Sequence, residues 1–279
     1  MACGIFMSPL RLLHILTIGK DDLPETTREK KKVEIVILTA FGVGGATVLG
    51  AAIGLVFKKT TSAFNDAAIS VAAGVMLAAA MLGLILPSLE YGGKYGIFIT
   101  VTGIFVGAIC VNLMDLVLLS SLWNRLRPEA GQSGDRVRQV ALFVLAIAIH
   151  NLPEGIAAGV GFGGEVSDGI FIATAIALQN IPEGMAVILA IFNIGGSPGR
   201  AFLVAAMTGV VEIVGTFIGY FAVSLSRTVL PFVLAFAGGN MLYVIAEEMI
   251  PGAHSENNSL STYFVLGGFC LMLFFGALL

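Results

Sequence analysis

Two segments of the chain carry the same pattern of metal-capable side chains inside long apolar runs. The first reads HNLPEG and begins at His150, and the second reads QNIPEG and begins at Gln179. Each places a carboxylate, Glu154 or Glu183, four residues after a side chain that can bind a metal. Residues at i and i+4 project from one face of a helix, so each pair can present two ligands to one ion. The repeat predicts a polar site built from two neighbouring helices.

The prolines and asparagines of the two segments extend this pattern. Pro153 and Pro182 lack an N–H, so each frees the backbone carbonyl four residues earlier in its helix. Asn151 and Asn180 follow the first candidate ligand of each segment and are offset from it by about a quarter turn of helix. They are predicted either to widen the site or to form hydrogen bonds between helices.

The elements that must position these residues are membrane-spanning helices. The chain has 279 residues, of which 57% are hydrophobic and 12% charged, roughly half the charged fraction of a soluble domain. Its mean hydropathy is +0.95. Long apolar runs without strict alternation predict helices and exclude a barrel. The predicted class is an all-α polytopic membrane protein with spans at about 33–57, 64–89, 96–122, 138–162, 168–192, 200–224, 230–250 and 261–279.

Two further side chains lie at the predicted mid-depth of the membrane. Glu212 is at the centre of the sixth span and Met76 at the centre of the second, close in depth to His150 and Gln179. Asp115, deep in the third span, is left without an assigned role.

The three carboxylates Glu154, Glu183 and Glu212 would converge, and no Lys or Arg lies in the middle of a core span to pair with them. Buried charges of this kind are costly unless they are protonated or bind a cation. One divalent ion or two are both compatible with this charge.

The ligand types favour a borderline transition metal over Mg²⁺ or Ca²⁺. Imidazole, carboxylate and amide oxygens, with a thioether from Met76, suit Zn²⁺ best, and Fe²⁺, Mn²⁺ and Cd²⁺ are also compatible. The three cysteines have no CxxC spacing and are interpreted as structural thiols. The net charge is −3, and no basic patch indicates a nucleic-acid partner. The expected partners are divalent ions and membrane lipid, with no bound cofactor.

Orientation follows from the Lys and Arg residues in short loops. The loop between the third and fourth spans is arginine-rich, so it is predicted to be cytoplasmic, with both ends of the eight-span core outside the cell. Residues 33–279 are interpreted as one transmembrane transport domain. Residues 1–32 are interpreted as an interfacial or partial helix that ends in a charged run.

The paired HNLPEG and QNIPEG motifs resemble those of the ZIP (Zrt/Irt-like protein) family of divalent-metal transporters, in the form found in prokaryotes. The resemblance covers about residues 33–279. It implies eight helices in a 3+2+3 inverted-repeat arrangement, a dimer in the plasma or inner membrane, and metal movement into the cytoplasm. It also implies an elevator-like movement of a group of helices.

The same resemblance assigns roles to individual residues. It implies a primary metal site and an adjoining second site, where some relatives have Asp in place of Asn180. The implied primary ligands are Met76, His150, Glu154, Gln179, Glu183 and Glu212. The implied second site uses Asn151, Asn180, Glu183 and Glu212. Glu247 and Glu248 match a metal-handling pair at the inner end of the seventh span, and Asp66 matches an acidic entrance position.

Zinc uptake is therefore the leading hypothesis, and the chain is not expected to be an enzyme. An intramembrane metalloenzyme is an alternative, but it needs a base and an open coordination position, and the HExxH signature is absent. A proton- or Na⁺-coupled carrier of organic solutes is a second alternative. It would leave His150 and Met76 unexplained.

Overall fold

The computed structural model describes residues 25–57, 61–125, 132–225, 227–253 and 259–278, and these residues form helices joined by short turns, with no strand among them. The interfacial helix predicted within residues 1–32 falls largely outside the described residues. Its last part, from Glu25 onward, is continuous with the first helix. The first helix begins earlier than predicted because its charged residues are themselves good helix formers.

Across this part of the chain, eight helices are long and apolar enough to cross a membrane, which confirms the predicted class and number of spans. We number them α1 (Glu25–Phe57), α2 (Ser62–Ala78, continued by Ala79–Ile85 and Leu86–Tyr91), α3 (Gly96–Arg125), α4 (Gln132–Val160), α5 (Val166–Asn193), α6 (Pro198–Leu225), α7 (Leu230–Val244, continued by Ile245–Met249 and Ile250–Ala253) and α8 (Ser259–Leu278).

The two helices that carry the repeated motifs pack against α1 and α6, which also pack against each other. Helix α1 packs along α5 and α6, and α4 packs along α6. Helices α4 and α5 are joined by a short glycine-rich connection and touch each other. The remaining helices pair separately, α3 with α7 and α2 with α8, while α2 also contacts α5 and α7 contacts α4. The motif faces therefore meet where these two sets of helices adjoin.

Helices α4 and α5 continue through Pro153 and Pro182 without a break. The departures from α-helical geometry lie in α2 and α7 instead. Ala79–Ile85 in α2 and Ile245–Met249 in α7 are π-helical, and each is followed closely by a proline, Pro87 or Pro251. Short π-helical stretches are rare and occur often at functional sites. Both π-helical segments belong to helices that pack against a motif helix, α2 against α5 and α7 against α4.

Glycines allow the helices around the motifs to approach closely. A side chain at Gly184 would meet the backbone carbonyl of Thr47 on α1, and one at Gly155 would meet the carbonyl of Glu212 on α6. Gly44 and Gly209 face each other where α1 crosses α6, each against the other's carbonyl. Small residues at such crossings let membrane helices pack by close backbone contact.

We predict that Gly44→Ala destabilises the protein by about 1–3 kcal/mol, because the added methyl meets backbone that cannot give way. Gly42→Ala is the matched control, since it lies in the same helix with nothing within 4 Å of the added carbon. Thermal unfolding in detergent measures both. Equal melting temperatures for the two variants would contradict this account of the α1–α6 crossing.

Candidate metal centre

A cavity of about 210 Å³ lies between the two motif helices, α2 and α7. All four candidate ligands from the HNLPEG and QNIPEG motifs line it. The lining consists of Ile69 and Ala72 from α2; Phe143, Ile147, His150 and Glu154 from α4; Gln179, Pro182, Glu183 and Ala186 from α5; and Val244, Glu248 and Met249 from α7. Both i, i+4 pairs therefore face the same cavity.

The oxygen atoms in this cavity are incompletely satisfied. Glu154 and Gln179 are buried, with relative exposures of 4% and 2%, while Glu183 is half-buried. Glu154 Oε2 and Gln179 Oε1 have no hydrogen-bond partner among the described residues. A buried acceptor without a partner costs about 1–3 kcal/mol. Two such oxygens from neighbouring helices in one cavity are suitable ligands for a cation.

His150 connects this cavity to two acids on other helices. Its Nε2 lies 3.3 Å from Asp115 Oδ1 on α3, and its Nδ1 lies 3.2 Å from Glu248 Oε2 on α7. The three side chains each offer a ligand atom within 4.8 Å of the other two. The contact with Glu248 is consistent with the sequence assignment of that residue. No role was assigned to Asp115 from the sequence, although an acid deep in an apolar span often marks a functional site.

Glu212 is also brought to the motifs, but as the centre of a hydrogen-bond cluster. Its Oε1 accepts hydrogen bonds from Thr47 Oγ1 at 2.7 Å and from Asn151 Nδ2 at 2.5 Å. Its Oε2 accepts one from Asn180 Nδ2 at 2.6 Å. The four side chains come from α1, α4, α5 and α6, and none is measurably exposed. Thr47 was not singled out from sequence, because a threonine in an apolar helix is unremarkable by itself.

The structure does not bring Met76 to the cavity lining. Met76 is fully buried in an apolar cluster with Val75, Ala79 and Met241. Its position at mid-depth was predicted from its place along α2, but depth does not fix the direction in which a side chain points. Its role as a ligand stays a prediction that no contact tests.

Asp66 lies where the end of α7 packs on the beginning of α2, and its entrance role stays a prediction that these contacts do not test. Helix α7 ends against the first part of α2, since Ile245–Met249 and Ile250–Ala253 both pack on Ser62–Ala78. Asp66, in the first turns of α2, is therefore at the same end as Glu247 and Glu248. Glu247 is exposed and is not part of the cavity lining.

Comparison with known proteins agrees with this geometry. Residues 126–276, just over half of the chain, match the family described as ZIP Zinc transporter. The chain is 35% identical over 218 residues to the zinc transporter GufA of Myxococcus xanthus, covering 76% of this chain and 85% of GufA. It is 37% identical over 241 residues to the zinc transporter ZIPB of Bordetella bronchiseptica, covering 82% of this chain and 76% of that protein.

A human relative is similar over most of its length as well. The chain is 31% identical over 324 aligned positions to the human zinc transporter ZIP11, covering 85% of this chain and 95% of the relative. The matched family segment contains both motifs and Glu212. The helices, the paired motifs and these relatives lead to one conclusion: the chain belongs to the ZIP family of zinc transporters.

Proposed function

We propose that this chain carries divalent metal ions, with Zn²⁺ as the main substrate, across a membrane and toward the cytoplasm. The observation that carries the proposal is the cavity where His150, Glu154, Gln179 and Glu183 meet, with two buried oxygens that lack hydrogen-bond partners among the described residues. The three relatives are named as zinc transporters, which supports the same substrate. Fe²⁺, Mn²⁺ and Cd²⁺ are compatible with the same ligands.

The ligands of the cavity suit a passing dication in both type and charge. One imidazole, two carboxylates and one amide oxygen match the nitrogen and oxygen donors that zinc accepts. Three carboxylates line the cavity: Glu154 and Glu183, when ionised, balance the charge of one Zn²⁺, and Glu248 adds a third at the more exposed side. No thiolate lines the cavity. The absence of this soft ligand favours an ion that can leave again.

The acids around His150 provide a route out of the cavity. Glu248 lines the cavity but is also 41% exposed at its side chain, whereas Asp115 is 15% exposed. An ion that leaves Glu154 and Glu183 can therefore exchange one carboxylate for another without passing through apolar surroundings. We assign Glu248, together with Glu247 and Asp66 at the same end of the bundle, to the cytoplasmic exit.

The inverted-repeat arrangement is supported by a constant offset along the sequence. Thr47 and Glu212 are 165 positions apart and contact each other. Gly44 and Gly209 share that offset and approach each other reciprocally. The π-helical segments of α2 and α7 occupy nearly equivalent positions at the same offset. We therefore infer that α1–α3 and α6–α8 are related repeats, with α4 and α5 between them in the 3+2+3 order.

The proposed transporter spans the membrane eight times and can form a homodimer. The arginine-rich connection between α3 and α4 favours a cytoplasmic position for that loop, with both ends of the eight-helix core outside the cell. Large apolar side chains on α3 and α8 face outward from the chain, among them Phe98, Phe105 and Phe274. These surfaces suit membrane lipid and, in a homodimer, a second copy. Transport needs no bound cofactor and no enzymatic step.

We predict that Glu183→Ala reduces uptake of radiolabelled zinc into proteoliposomes to the level of empty vesicles. Removal of one carboxylate leaves the dication undercompensated in a low-dielectric cavity, and we expect at least about a tenfold loss of metal affinity. Glu34→Ala is the control, since Glu34 is an exposed acid on α1, outside the cavity. Zinc flux that survives in Glu183→Ala would reject the proposed site.

A second prediction concerns release. Glu248→Gln should lower the maximal rate of zinc uptake while zinc binding to detergent-purified protein, measured by calorimetry, is almost unchanged. The physical reason is that Glu248 contacts His150 from the exit side and offers the next carboxylate along the route.

Glu34→Gln is the control for that experiment. It removes a charge from an exposed position on α1 that does not line the cavity and has no assigned part in the exit. Equal loss of uptake in the two variants would show that the effect comes from general surface charge and not from the contact with His150.

A further inference from the structure

Glu212 differs from the other acids at the motifs because its oxygens are already occupied by protein donors. Three helices supply them: Thr47 from α1, Asn151 from α4 and Asn180 from α5. A carboxylate is an acceptor-only group with about four lone-pair sites, so three donors use most of its capacity. By contrast, Glu154 Oε2 has no hydrogen-bond partner among the described residues. Glu212 also does not line the cavity.

The cluster fixes the orientation of both asparagine amides. Each donates its Nδ2 to Glu212, and a flipped amide would bring its oxygen against the carboxylate. The Oδ1 atoms of Asn151 and Asn180 therefore point away from Glu212, and both are buried without a hydrogen-bond partner in the described part of the chain. An ion bound at Glu212 would have to compete for the carboxylate with three hydrogen bonds that hold four helices together.

Thr47 completes this arrangement at the point where α1 crosses α6. It lies three residues after Gly44, as Glu212 lies three residues after Gly209, and these two glycines form the close crossing. The crossing brings the hydroxyl and the carboxylate together with no measurable exposure of either residue. Hydrogen bonds to a charged group are roughly twice as strong as neutral ones.

We propose that Glu212 is a positioning residue and not a metal ligand in this chain, and that Thr47 is the residue that holds it. Together with Asn151 and Asn180 they bind α1, α4, α5 and α6 into one unit and set the amide orientation beside the transport cavity. The cavity then holds one ion, and there is no second site at Glu212. The one-ion part of this inference rests on the proposed function.

A double-mutant cycle on metal-free protein tests the link between Thr47 and Glu212. Thr47→Val keeps the shape of the side chain but removes its hydroxyl, and it should lower the melting temperature. In a Glu212→Gln background, where the acceptor is neutral, this decrease should shrink by about half. Thr47→Ser should retain most of the wild-type stability because it keeps the hydroxyl.

Thr208→Val is the control for the cycle. Thr208 is equally buried on α6, but its hydroxyl donates to the carbonyl of Ala205 in its own helix. Its effect should add to that of Glu212→Gln without coupling. If Thr47→Val and Glu212→Gln are also additive, or if Thr47→Ser is no more stable than Thr47→Val, the positioning role is overturned.

Metal counting tests the one-ion statement. Purified wild-type protein equilibrated with zinc should bind one ion per chain by elemental analysis, Glu212→Gln should still bind one, and Glu183→Ala should bind clearly less than one at the same free zinc concentration. A fall from two ions to one in Glu212→Gln would overturn the inference. Failure of the wild type to bind zinc would reject the proposed transport site and the one-ion statement, whereas the metal-free stability cycle would still decide the role of Thr47.

Discussion

The arrangement of this molecule depends on three carboxylates placed deep among apolar helices. A charged group at the centre of a membrane helix costs about 2.5–3.5 kcal/mol on insertion scales. Among the described residues, no Lys or Arg lines the cavity that holds two of these acids. The three acids have different surroundings. Glu212 receives three hydrogen bonds from hydroxyl and amide donors, whereas Glu154 and Glu183 face a cavity with His150 and Gln179. One acid is satisfied by the protein, and the other two are suited to a cation.

Close helix packing makes this difference possible. Hydrogen bonds to Glu212 from three other helices require backbones that nearly touch, and Gly155 and Gly184 permit this beside the motif prolines. The glycines of the motifs thus serve the cluster on one side of α4 and α5. The histidine, glutamine and glutamates serve the cavity on the other side. A single six-residue motif therefore supplies both a packing surface and two side chains that line the cavity, because successive residues on a helix point in different directions.

Much of the candidate site could be predicted from sequence, but for reasons that differ between residues. His150 and Glu154, like Gln179 and Glu183, share a helix face through their spacing, so their convergence required only that the two helices be neighbours. Met76 was placed at the site by depth and by family resemblance alone. Depth along a helix says nothing about rotation. The side chain lies in an apolar cluster, and its role as a ligand stays a prediction. Asp66 was assigned an entrance role from the family resemblance alone, and only the packing of α2 on α7 shows that it shares an end of the bundle with Glu247 and Glu248.

The sequence by itself determined the number of spans, the two pairs of candidate ligands and the family, because hydropathy, i, i+4 spacing and a repeated motif are local properties of the chain. Only the tertiary structure decided which oxygens are occupied and which remain available. Thr47 and Glu212 are 165 positions apart, and His150 reaches Asp115 and Glu248 on two other helices. Such pairings depend on how the helices cross and rotate against one another. These are the degrees of freedom that a linear pattern of polar and apolar residues leaves open.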